Sequence, residues 1–185
     1  DQVIPMHNEM SYTTSWPGRL WFCCLTPSED GGDTPLADSA AVWRRIPETV
    51  RARFREHGVR YVRNYGTGLD LPWQDVFQTE DRGEVEAYCR AVGITFEWVS
   101  EGHLRTAQVC QSENTHPATG TPVWFNQAHL FHVSSLAAGV AEALLSIAGL
   151  DELPRNAYFG DGAPIPDEML ASIRAAYEAE MVRFP

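Results

Sequence analysis

The order of the short apolar runs constrains this chain more than any single residue does. Residues 59–64 (Val-Arg-Tyr-Val-Arg-Asn) alternate as a strand with one buried face should. Residues 94–99 and 104–110 read as two further strands, 122–126 as a short one, and 3–12 as a strand near the start. The run at 19–25 (Arg-Leu-Trp-Phe-Cys-Cys-Leu) is almost continuously apolar, which predicts a strand buried on both faces. Helical signals interrupt these strands. Asp38 or Ser39 caps a helix over 39–45, and Pro47 opens a second that runs to Glu56 and closes at Gly58. A third starts near Thr79 and ends at Gly93, and an apolar one over 136–147 ends at Gly149. A last helix, over 167–183, places Leu170, Ile173, Tyr177 and Met181 on one face. Residues 65–78, with Trp73 and Phe77 exposed, 112–121 and 158–166 read as loops. Strands interrupted by helices predict an α+β or mainly-β sandwich, not a regular βαβ array.

The 185 residues, 44% apolar with six Trp, fit one globular domain over 1–185. A net charge of −11 with no basic stripe argues against a nucleic-acid partner. Arg51, Arg53 and Arg55 read as a solvated helix face. No apolar run reaches the roughly 18 residues a membrane helix needs, and no signal peptide is visible, so the expectation is a cytoplasmic protein. Cys23, Cys24, Cys89 and Cys110 lack metal-ligand spacing and read as buried free thiols. The chain opens on Asp1 without an initiator Met, which suggests a segment of a longer protein.

Within that frame, His7-Asn8-Glu9 carries the chemistry. In an extended strand, side chains two apart share a face, so His7 and Glu9 would project an imidazole and a carboxylate into one space. That is two-thirds of the 2-His-1-carboxylate triad that holds non-haem Fe(II) with open positions. His129 and His132, three apart near a helix start, could serve a metal or else face the core or a substrate. Arg105 could pair a substrate carboxylate through its planar fork, or simply face solvent.

Three stretches in order then resemble a known family. His7-Asn8-Glu9-Met10-Ser11-Tyr12 resembles the first metal motif of the taurine dioxygenase (TauD/TfdA) superfamily of Fe(II)/2-oxoglutarate dioxygenases, in the H-x-E form of its clavaminate synthase-like and SyrP-like branches. Gly31-Gly32-Asp33-Thr34 is similar to that family's G-G-[DE]-T motif. His116-Pro117-Ala118-Thr119-Gly120 with Phe125-Asn126 is similar to its H-P-x-T-G…[VF]-N segment.

The resemblance implies a double-stranded β-helix (jelly-roll) with helical insertions, incomplete at its C-terminus. It implies His7 and Glu9 as iron ligands and Thr34 as a hydrogen-bond donor to 2-oxoglutarate. Oxidative decarboxylation of that co-substrate to succinate and CO₂ generates the oxidant that attacks an unactivated C–H bond. Asn126 matches the flap Asn, and Asn8 and Ser11 flank the metal motif, so all three are candidate substrate contacts. Substrates in the branch are amino acids or aminoacyl groups on carrier proteins. A carboxylate at Glu9 argues against halogenation, which needs a small residue there. The family's distal His and 2-oxoglutarate-binding Arg fall in a segment this sequence does not contain. The rival reading is therefore a non-catalytic jelly-roll acting as a binding or scaffolding protein. An open sheet edge in a partial jelly-roll would favour oligomers.

Overall fold

A computed structural model describes residues 5–26, 29 and 31–184. In chain order the elements begin with β1 (Thr34–Ala37), α1 (Ser39–Arg45), α2 (Glu48–His57), β2 (Val59–Tyr65), α3 (Trp73–Phe77) and α4 (Arg82–Val92). Next come β3 (Thr95–Trp98), β4 (Leu104–Cys110), β5 (Glu113–Thr115), β6 (Pro122–Trp124) and α5 (Ala128–Phe131). After a single 3₁₀ turn the chain forms α6 (Ala138–Ala148), β7 (Arg155–Phe159), α7 (Asp167–Ala179) and β8 (Met181–Phe184).

Local chemistry sets many of these boundaries. Asp38 caps α1 by accepting from the Ala40 N–H at 2.8 Å, and Asp81 caps α4 by accepting from Gly83 at 2.7 Å. Gly58 ends α2 with φ +67°, and a Cβ there would sit 2.7 Å from the Cys110 carbonyl oxygen. Only glycine satisfies both the backbone angle and the close approach.

The scaffold is an antiparallel sheet ordered β3-β4-β2-β7, with β2 central. Tyr61 lies opposite Gln108 on β4 and Ala157 on β7, which fixes the register on both sides. β1 pairs with β8 and β5 with β6 as separate two-stranded ribbons. The architecture is mixed α and β with antiparallel sheets, and the described strands close no barrel.

Two hydrophobic cores form on this frame. The larger joins α1, α2, β2, β7, α5 and α7 around Phe54, whose ring meets Trp124 and Phe159 edge-on at 5.2 Å each. The smaller joins α3, α4 and the far ends of β2 and β4 around Tyr65, Trp73, Val85, Cys89 and Leu104.

Several sequence expectations need correction. The strand expected over 3–12 is absent where the chain is described: residues 5–8 are irregular, 9–12 form a turn, and 1–4 lie outside the described residues. The 19–25 run is neither a strand nor buried, with Trp21 83%, Phe22 88% and Leu25 90% exposed. Periodicity detects apolarity, but it does not supply a covering partner. Cys23 and Cys24, on that run, are exposed, whereas Cys89 and Cys110 are buried as expected. Trp73 is buried against Trp98, because α3 turns it inward. Arg51 is not solvated: its guanidinium stacks 3.7 Å from the Trp43 ring centroid, and its side chain is only 13% exposed. The last helix stops at Ala179, and Met181 opens β8. β5 lies within the expected 112–121 loop, and β7 begins ahead of and enters the expected 158–166 loop.

Two measurements check this packing. Phe54→Ala should cost about 3–5 kcal/mol in urea unfolding, since it opens a cavity beneath two aromatic rings. Native alkylation should modify Cys23 and Cys24 quickly and spare Cys89 and Cys110. Burial pushes the Cys110 thiol up to about 12, so little thiolate is available for attack there.

Candidate active site

His7 and Asn8 lead into the turn over residues 9–12, which Glu9 opens and in which Ser11 lies. His7 Nδ1 sits 2.8 Å from the Pro5 carbonyl oxygen. A carbonyl only accepts, so Nδ1 carries a hydrogen and Nε2 is the ring nitrogen turned toward Glu9. Nε2 faces Glu9 Oε2 at 3.6 Å, with the two side chains 30% and 43% exposed. An imidazole nitrogen and a carboxylate oxygen brought together and open to solvent are a donor set suited to a divalent metal. The two side chains converge as the sequence predicts, through a turn rather than a strand. Among the described residues no third His, Cys, Asp or Glu joins them.

Asn8 holds this turn in place. Its Nδ2 donates to the Trp124 carbonyl at 2.9 Å, and its Oδ1 accepts from the Ser39 hydroxyl at 3.0 Å. Its own carbonyl accepts from the Ser11 hydroxyl at 2.9 Å and from Gln127 Nε2 at 2.8 Å. Ser11 is fully buried. Asn126 is buried too, donating to the Ser112 carbonyl at 2.6 Å and accepting from the Ala128 N–H at 3.0 Å. Arg105 donates to Asn64 Oδ1 and to the Asp151 carbonyl. The side chains of these four candidate substrate residues thus bond within the protein. Thr34 opens β1 and is exposed, on the strand leading to the Ser39 that anchors Asn8.

Of the other histidines, His129 stands beside the His7 segment, bonded to the Met6 backbone and within reach of the His7 charge, while His57 pairs with Asp161. His132 turns back on its own 3₁₀ turn, accepting from the Ser134 N–H at 3.1 Å. His103 bonds Asn64 and His116 lies beside Thr119. His129 is buried, stacked on Tyr177 with centroids 4.7 Å apart, and its Nδ1 has no partner. Burial, reinforced by the Arg174 charge, drives its pKa down to about 3, so the ring is neutral.

Beside the His7–Glu9 segment lies a cavity of about 570 Å³. It runs along the seam between the two cores. Tyr12, Tyr61 and Phe131 wall one side, with ring centroids 4.9 to 6.3 Å apart. Tyr65, Phe77 and Tyr88 form a second aromatic cluster along it. Met10 and Tyr12 belong to the turn that His7 and Asn8 lead into, so the His7–Glu9 segment and the cavity share one short stretch. The Tyr61 hydroxyl accepts from the Gln127 N–H at 2.8 Å, tying the sheet to the segment that braces Asn8. Sequence reasoning did not single out Tyr61, Arg63 or Gln127. The alternation of β2 placed Tyr61 and Arg63 on one face but could not say that the face borders a cavity.

Residues 1–185 match the family model described as taurine catabolism dioxygenase TauD, TfdA family. The chain is 44% identical over 185 residues to the dapdiamide synthesis protein DdaC of Enterobacter agglomerans. It is 30% identical over 197 residues to a clavaminate synthase-like protein of Arabidopsis thaliana. All of the chain is covered in both comparisons, and it spans 56% of the length of each relative.

Asn8→Ala strips buried partners from Trp124 and Ser39 and should cost roughly 1–3 kcal/mol in urea unfolding. The His129 shift sets a pH window. Its folded pKa lies below the unfolded value near 6.5, so its contribution is intact above pH 6.5 and is lost as pH falls toward 3. Between pH 6.5 and 5 the parent should lose about 2 kcal/mol more stability than His129→Gln. Equal losses in parallel urea titrations would refute that assignment.

Proposed function

The chain belongs to the TauD/TfdA dioxygenase family, and from that premise we propose that it is the metal-motif-bearing part of an Fe(II)/2-oxoglutarate-dependent dioxygenase. The reading rests on one observation above others: His7 Nε2 and Glu9 Oε2 stand 3.6 Å apart, with the ring oriented by the Pro5 carbonyl at Nδ1. Iron would be held by His7 and Glu9, with Thr34 donating its hydroxyl to the co-substrate carboxylate. When bound, Fe(II) and 2-oxoglutarate supply the oxidant that attacks an unactivated C–H bond.

The chain's own residues orient the ligands and shape the chamber. Asn8 fixes the turn, and the two aromatic clusters exclude water from the reacting group. In the finer fold reading, the four-stranded sheet is part of a jelly-roll. Hydroxylation is the proposed outcome. The proposed substrate is an amino acid or a carrier-bound aminoacyl group in specialised metabolism, a reading supported by the likeness to a dapdiamide synthesis protein. No described helix is long and apolar enough to cross a membrane. A cytoplasmic site of action is proposed.

The rival, a non-catalytic binding protein, draws on the two-residue donor set among the described residues. Anaerobic titration of the full-length gene product with Fe(II) and 2-oxoglutarate separates the two. A weak visible charge-transfer band in the parent, lost in Glu9→Ala, is expected. Its absence from a folded parent would overturn the dioxygenase reading in favour of the binding protein.

A further inference from the structure

The cavity has an aromatic build and a sparse charge content. Of the residues that line it, Arg63 is the cation and Glu84 the carboxylate. Glu84 is engaged: the Thr79 hydroxyl donates to its Oε2 at 2.5 Å. Arg63 is not. Its Nε is buried without a hydrogen-bond partner. The nearby carboxylate, Asp70 Oδ2, stands 3.7 Å from Nη2, beyond hydrogen-bond range. The guanidinium lies 4.9 Å from the Tyr65 ring centroid, a stacking contact that orients the plane without using its N–H groups.

A buried N–H without an acceptor costs free energy that a ligand can recover. A planar guanidinium recovers most from a planar, singly charged group that accepts two parallel bonds. A dianion such as a phosphate monoester suits the chamber less, with one cation and a carboxylate among the lining residues.

We propose that Arg63 is a substrate-binding residue that anchors a carboxylate of the substrate between the two aromatic clusters. This rests on the cavity being the substrate chamber of the proposed dioxygenase. It deepens that reading by requiring an acidic group on the substrate. The group is either the α-carboxylate of a free amino acid or a second carboxylate on an acyl chain whose α-carboxylate is tied to a carrier. Asp70 is the internal competitor that the ligand displaces.

The test is binding rather than turnover, with metal-free, 2-oxoglutarate-free full-length protein. Ligand-observed NMR measures affinities for the common L-amino acids, for their α-amides, and for the α-amides of Asp and Glu against those of Asn and Gln. At least one acid should bind about tenfold tighter than its α-amide if the α-carboxylate is read. If a side-chain carboxylate is read, the Asp or Glu α-amide should exceed its Asn or Gln counterpart by a similar factor. Either preference should fall below about twofold in Arg63→Gln with a native amide spectrum.

Where Arg63→Gln does not fold, Asp70→Asn serves instead. Tighter binding of the favoured acid supports the proposal, and unchanged or weaker binding overturns it. Absence of any acid preference, or its survival in Arg63→Gln, also overturns it. A charge-transfer band without acid preference removes this inference and leaves the dioxygenase reading. Acid preference without the band does the reverse.

Discussion

The Asn8 bracket is the interaction on which the site depends. One residue closes the turn that carries His7 and Glu9 and fastens that turn to segments remote in sequence, at Ser39, Trp124 and Gln127. Such a short loop has no ladder of its own to fix its orientation. Its backbone polar groups must find partners elsewhere, and here the larger core's margin supplies them. The next residues repeat the solution: the Ser11 carbonyl accepts from Gln111 Nε2 and the Tyr12 carbonyl from the Cys110 thiol. The His7–Glu9 segment is therefore positioned by the end of β4 and the segment after β6, not by a strand of its own.

This arrangement couples the His7–Glu9 segment to the Trp124–Gln127 stretch, remote in sequence. Asn8 and Gln127 form a reciprocal pair: one contributes a carbonyl, the other an amide. Gln127 in turn donates its backbone N–H to Tyr61 at the cavity wall. A change at either end would shift His7 and the chamber together. Burial raises the Tyr61 pKa well above its ordinary value, so the hydroxyl stays neutral and able to accept this bond.

What the sequence disclosed follows the same division between local and remote causes. The helix capped by Asp38, the glycine stop at Gly58 and the alternating strand of Leu104–Cys110 are written in neighbouring residues and were legible. The convergence of His7 and Glu9 was legible from their spacing, although the conformation that produces it was not. β7 was missed because Arg-Asn-Ala-Tyr-Phe shows little alternation; its strand character comes from pairing with β2. Residues 19–25 failed in the opposite direction, because an apolar run predicts burial only where something packs on it. Asn8, Ser11, Asn126 and Arg105 were read as candidate substrate contacts by position alone. In the structure their polar side-chain atoms meet protein partners. Arg63 was not singled out, because alternation places it on the Tyr61 face without showing that the face borders a cavity.

Backbone strain is concentrated at that chamber. Among the described residues, the non-glycine residues with left-handed backbone are Met10, at φ 55°, and Gln78, at φ 54°; both line the cavity. Such conformations cost on the order of 1 kcal/mol each and persist only where surrounding bonds impose them. At Met10 the carbonyl accepts from both the Thr13 N–H and hydroxyl, at 3.0 and 2.9 Å. At Gln78 the residue ends α3, its N–H bonded back to the Gln74 carbonyl. One lies in the turn that follows His7 and the other beside Phe77 of the smaller core. Relaxing either would let its side of the chamber drift.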